Sequence, residues 1–75
     1  MRHIEALTDD GGSISIGALD PIGCAATAAD HHNTLVMIAR RDGETLAALL
    51  KRLDKALGRY YETGETIDEV NAPSD

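Results

Sequence analysis

Cys24, Asp30, His31 and His32 are the residues of this chain whose types come nearest to chemistry. A thiolate gathered with imidazoles and a carboxylate would suit a divalent metal, and a Cys–His pair would suit nucleophilic catalysis. The spacing argues against both. Adjacent residues in a strand or turn point apart, and no second Cys or His pair completes a tetrahedral shell. Cys24 also opens an Ala-rich run with no neighbouring feature that would stabilise a thiolate, so it reads as a small core residue. The expectation is a protein without catalytic residues, metal or cofactor.

Other constellations lead to the same place. Gly11-Gly12 lacks the G-x-x-x-x-G-K-S/T pattern of a phosphate loop and reads as a turn. Glu65, Asp68 and Glu69 could form paired acids, but a terminal stretch offers no pocket to raise a carboxyl pKa. Arg40, Arg41, Lys51, Arg52, Lys55 and Arg59 make a basic surface; an acidic remainder and a shortage of interleaved aromatics disfavour direct nucleic-acid contact. Those cations are better matched to Asp54, Glu62 and the acidic tail. What remains is the acids themselves. Asp9, Asp10, Asp20 and Asp30 are expected at hairpin ends, with Glu62, Glu65, Asp68 and Glu69 just past a helix. Carboxylates spaced along a rigid edge can imitate the phosphates of a duplex, one charge per ~1.7 Å of axis, and so occupy a basic surface on another protein.

The elements that must position these groups are few. Seventy-five residues enclose one core, expected over residues 1–71 with a flexible tail at 72–75. Phe and Trp are absent and the only aromatics are Tyr60 and Tyr61, so the core is aliphatic and marginal stability or self-association is expected. With a single cysteine no internal disulfide forms, which suggests a reducing compartment. No stretch approaches the ~20 apolar residues of a membrane span, and the start of the chain lacks the apolar core of a signal peptide. Cytoplasmic residence follows as the expectation. The net charge of −6 is segregated: about −4 over residues 1–39, +3 over 40–59 and −5 over 60–75.

Leu46, Leu49, Leu50, Leu53, Leu57 and Tyr60 recur at helical spacing and predict an amphipathic helix from about Glu44 to Glu62. Asp42 or Thr45 would cap its start and Gly64 its end, although Gly58 could fray the last turn. Upstream the period is two. Ser13 to Ile16 alternates and follows Asp9-Asp10-Gly11-Gly12, which predicts a hairpin with a first strand at Arg2 to Leu7. A second hairpin is expected from Ile22 to Ala28 and Thr34 to Arg40 around Asp30-His31-His32-Asn33, although the Ala-rich arm also suits a helix. Leu35 to Ala39 is apolar on both faces and predicts a central strand or one whose second face another subunit covers, with Ile67 and Val70 docking one short turn. The fold class expected is α+β, a small antiparallel sheet of two hairpins packed on one C-terminal helix. A lone helix covers one sheet face, and small residues such as Cys24, Ala26 and Ala39 do not suit a solvated opposite face, so a homodimer through that face is the alternative to an inhibitor.

The segment Ala39-Arg40-Arg41-Asp42-Gly43-Glu44-Thr45-Leu46-Ala47-Ala48-Leu49-Leu50-Lys51-Arg52-Leu53-Asp54, continuing to Thr66-Ile67-Asp68-Glu69-Val70-Asn71, resembles the C-terminal half of short proteins encoded in proteobacterial genomes and prophages. In size and acidity the chain is also similar to anti-CRISPR proteins. That resemblance implies a non-enzymatic inhibitor, acting in a bacterial host, that blocks the DNA-binding surface of a CRISPR-Cas effector subunit through acidic contacts.

Overall fold

A computed structural model describes residues 1–18 and 23–70. The order of elements is α1 (Arg2–Asp9), β1 (Ser13–Gly17), β2 (Ala25–Ala29), β3 (Thr34–Ala39), α2 (Leu46–Thr63) and β4 (Ile67–Asp68). The four strands form one sheet in the order β1-β2-β3-β4, antiparallel except for β4, which runs parallel to β3. The class is α+β, with the C-terminal helix packed against the sheet. No described helix is long and apolar enough to cross a membrane. The expected tail at 72–75 lies outside the described residues.

The N-terminal segment is where sequence periodicity misleads. Arg2 to Leu7, expected as the first strand of a hairpin, is helical instead. Ile4 and Leu7 stand three residues apart, which puts both on one helical face, and both join the core. Asp9-Asp10-Gly11-Gly12 stops this helix and makes no hairpin turn. Gly11 adopts φ 90°, its amide donates to the Thr8 carbonyl at 3.1 Å, and the Gly12 amide donates to that of Leu7 at 2.9 Å. These paired bonds around a left-handed glycine are the Schellman closure of a helix, and glycine-rich turns share the same signature in sequence. The start of α1 has no cap of its own. Asp54 on α2 supplies it, its Oδ1 accepting from the amides of His3 and Ile4 at 2.9 Å each.

The remaining elements follow their local signals closely. Thr45 caps α2 by accepting from the Ala48 amide at 3.1 Å, and Gly64, at φ 75°, ends it. Gly58 stays inside the helix and lets His3 lie against it, where a Cβ would come within 2.7 Å of Nε2. The Ala-rich arm is β2, not a helix, since β1 and β3 both pair with it. In the β2–β3 turn, Asp30 Oδ1 accepts from the amides of His32 (2.8 Å) and Asn33 (2.7 Å). β3 is central, with β2 on one side and β4 on the other. Register slips by one residue beside Ala28 and Ala29, so Leu35 is extra and both Leu35 and Val36 are buried. The turn expected around Ile67 is the short strand β4, paired Val36 to Ile67 and Met37 to Asp68.

Both helices cover the same sheet face. Leu7 of α1 and Leu49, Leu53 and Leu57 of α2 bury Ala26, Ala28, Val36 and Ile38 between layers. Alanines on β2 let the helices approach where larger side chains on β3 fill the space. Ala26 and Cys24, expected on the uncovered face, belong to this core or pack against it. By strand alternation the opposite face carries Ser13, Ser15, Thr27, Ala29, Met37 and Ala39.

Candidate functional site

Helix α2 divides the charges of the molecule. Asp54, Gly58 and Tyr61, spaced four and three residues apart, face α1, while Arg52, Ala56 and Arg59 face β3 and β4. The two flanks have opposite character.

On the α1 flank, the Schellman stop brings Asp9 and Asp10 to the end of α1 beside Tyr61. A depression of about 480 Å³ there is lined by Ala6, Asp9, Asp10 and Tyr61. Asp30 enters from the β2–β3 turn. Partial burial pushes the Tyr61 phenol above its usual pKa, and the charges of Asp10, Tyr60 and Asp30 add to the effect. Two adjacent carboxylates thus stand beside one tyrosine that is 48% exposed, and the charge of a third, twenty residues on, reaches it. Rings frame the same end: His3 lies 6.1 Å and Tyr60 5.6 Å from Tyr61, and the His31 ring sits against Gly11. Asp30 itself is held below the ordinary carboxylate range by the two turn amides it accepts from.

The opposite flank is clamped by Arg52. Its guanidinium forks onto Glu44, with Nε to Oε2 and Nη2 to Oε1 both 3.0 Å, while Nη1 reaches Glu69 at 3.2 Å and Nη2 donates to the Ala39 carbonyl at 2.6 Å. Glu44 also accepts from the Arg41 amide at 3.0 Å, and Glu69 from the Ala39 amide at 3.2 Å. One side chain therefore ties α2 to the end of β3 and to the segment after β4. The Arg52 hydrogen bonds, then the Arg41 amide, hold the Glu44 carboxyl down to about 2. A depressed folded-state pKa contributes stability above the unfolded value, 4.5 here, that is lost as pH falls towards 2. Unfolding monitored by circular dichroism from pH 6 downwards should show this loss between about pH 4.5 and 2, with a smaller acid-dependent loss in Glu44→Gln.

The acids expected to bind a partner are therefore not one surface. Asp9, Asp10 and Asp30 converge, with the helix end as the correction to the hairpin expected for the first two. Glu62 follows Tyr61 on α2, and Glu65 lies just beyond Gly64, its amide donating to Thr63 Oγ1 at 3.2 Å. Asp68 sits in β4, where its carboxylate accepts from the Val70 amide at 2.9 Å. Glu69 is engaged by Arg52 on the far flank. Asp20 lies outside the described residues. The expected pairing of the basic helix with the tail is present as Arg52–Glu69, whereas Asp54 is spent on α1.

No family model, curated protein or solved structure matches the chain. The site must be read from its own geometry. Cys24 precedes β2 and His31 follows it, so a five-residue strand, about 17 Å long, keeps thiol and imidazoles apart. Among the described residues, no group of three or more His, Cys, Asp or Glu is arranged to hold a metal ion. Sequence reasoning missed Tyr61 as the centre of the acidic group, the cap from Asp54 and the Glu44–Arg52 fork. Only the last had a local trace, a carboxylate two turns ahead of an arginine, and Glu44 lies before the helix begins.

Proposed function

We propose that the chain is a non-enzymatic binding protein whose acidic end occupies a basic surface on a partner protein. The observation that carries this reading is the pairing of Asp9 and Asp10 beside the exposed ring of Tyr61, with Asp30 near enough for its charge to act on that ring. A rigid aromatic supplies contact area at little entropic cost, and a rim of like charges steers a partner of opposite sign. A Lys- or Arg-lined surface that reads nucleic acid is the natural complement, and the DNA-binding surface of a CRISPR-Cas effector is the instance that the sequence resemblance implies. Inhibition would then be competitive with DNA.

The test is a mobility-shift assay of target DNA with purified CRISPR-Cas effectors in the presence of the chain. The wild type should displace DNA from one of them, and raised salt should weaken that displacement. The triple variant Asp9→Asn, Asp10→Asn, Asp30→Asn should lose about tenfold or more in potency, because Asn retains the Oδ1 acceptor of the turn while removing the charge. Equal inhibition by the folded triple variant would overturn the acidic-end mechanism. Failure of the wild type against every effector would overturn the choice of partner.

A further inference from the structure

The geometry points to a second binding site, on the flank of α2 away from the acidic end, that takes a short acidic segment of a partner protein bearing an apolar side chain. A cleft of about 190 Å³ opens there between α2 and the β3–β4 edge. Its apolar lining is Ile38, Ala56 and Ile67, and the cations around it are Arg41, Arg52, Lys55 and Arg59. Four of the seven basic residues of an acidic protein thus line one small cleft. Solubility alone does not require that concentration.

The charge at this cleft is not internally balanced. Arg52 is already satisfied by Glu44 and Glu69, and Glu69, which also lines the cleft, has its carboxylate engaged by Arg52 and the Ala39 amide. Among the described residues, the side chains of Arg41, Lys55 and Arg59 hold no ion pair. All three are exposed, and Lys55 and Arg59 stand one helical turn apart. Arg52, fixed by its carboxylates, acts as a wall and leaves the other three cations for a ligand.

The lining chooses among anions. A free oxyanion would leave the half-buried Ala56 and Ile67 uncovered. Single-stranded nucleic acid binds through aromatic stacking platforms, and neither tyrosine lines the cleft. A longer polyanion would also run past the acids of a chain whose net charge is −6. A peptide placing one aliphatic side chain on the apolar floor and carboxylates on the surrounding cations meets both demands, and a cleft below the ~300 Å³ of ordinary small-molecule pockets suits one such side chain.

The experiment is an amide NMR titration at constant ionic strength with a synthetic peptide of alternating Glu and Leu. Saturable shifts are expected at Lys55, Ala56, Arg59 and Ile67, with an oligoglutamate lacking Leu binding more weakly. The double variant Lys55→Gln, Arg59→Gln changes only exposed side chains and should weaken the peptide about tenfold. Neutralising Asp9, Asp10 and Asp30 should leave peptide affinity unchanged, which separates this site from the acidic end. Shifts that do not saturate, or equal affinity in the double variant, would overturn the assignment. Tighter binding of a short single-stranded oligonucleotide at the same residues would reassign the cleft to nucleic acid.

Discussion

Leu53→Ala should lower folding stability by about 2–5 kcal/mol. Leu53 is fully buried in the middle of α2, among Leu49, Leu57 and the alanines of β2. Its removal takes apolar contacts from both layers at once. The neighbouring β2 side chains are already methyl groups and cannot grow into the space, so collapse of the cavity would require the helix itself to move. A domain of this size has a total stability of roughly 4–11 kcal/mol, so the variant gives up a large fraction of it. Urea unfolding followed by circular dichroism reads the loss as a lower midpoint at unchanged slope. Leu53→Met, which conserves volume, should cost less than about 1.5 kcal/mol. A loss below about 1 kcal/mol in the alanine variant would contradict the packing described.

Gly12→Ala is expected to cost about 1–3 kcal/mol for a different reason. The position does not have a positive φ, so backbone strain is not the issue. An added Cβ would stand 2.5 Å from Leu7 Cδ1, 2.6 Å from its Cγ and 2.8 Å from the Ala29 carbonyl oxygen. Leu7 is a core residue and anchors α1, while the Ala29 carbonyl belongs to the backbone of β2, so neither can swing aside without disturbing an element. Native-state hydrogen exchange should show α1 amides losing protection before those of α2. Gly17→Ala serves as the control, since a Cβ there meets nothing within 4 Å. If Gly12→Ala were as stable as the control, the close approach of α1 to the sheet would be disproved.

Both expectations rest on contacts whose legibility in sequence differs. Leu53 belongs to a run of leucines at helical spacing, and that run marks its burial without any knowledge of the sheet. Gly12 carries no such mark. Read with its neighbours Asp9, Asp10 and Gly11, it fits a hairpin turn as well as a helix stop, because both require a left-handed glycine. What distinguishes them is whether the preceding residues find a helix or a strand to pack on. Here α1 gains its cap from Asp54, fifty residues later in the chain. A short helix whose capping group lies that far away leaves no complete local signature, so Arg2 to Leu7 reads as a strand.

The candidate site divides along the same line. That the chain is acidic at both ends with a basic middle is a property of composition, and so are the identities of the acids available. Their grouping is not. Asp30 joins Asp9 and Asp10 because the β2–β3 turn and the end of α1 fall at the same end of the sheet, and Glu69 leaves them because β4 pairs parallel to β3 and delivers it to Arg52.

By itself the sequence determined the α+β class, the long amphipathic helix with Gly64 at its end and a cap from Asp42 or Thr45 at its start, the central apolar strand and the segregation of charge. Each of these is written within a window of neighbouring residues, where periodicity and capping act. Only the tertiary structure decided that the first segment is a helix, that both helices share one sheet face, and that α2 separates an acidic tyrosine-centred surface from a basic cleft. Those outcomes depend on pairings between distant parts of the chain, and the energy that selects them, burial of Leu7, packing of His3 against Gly58 and a carboxylate capping a remote helix, belongs to no local stretch of sequence.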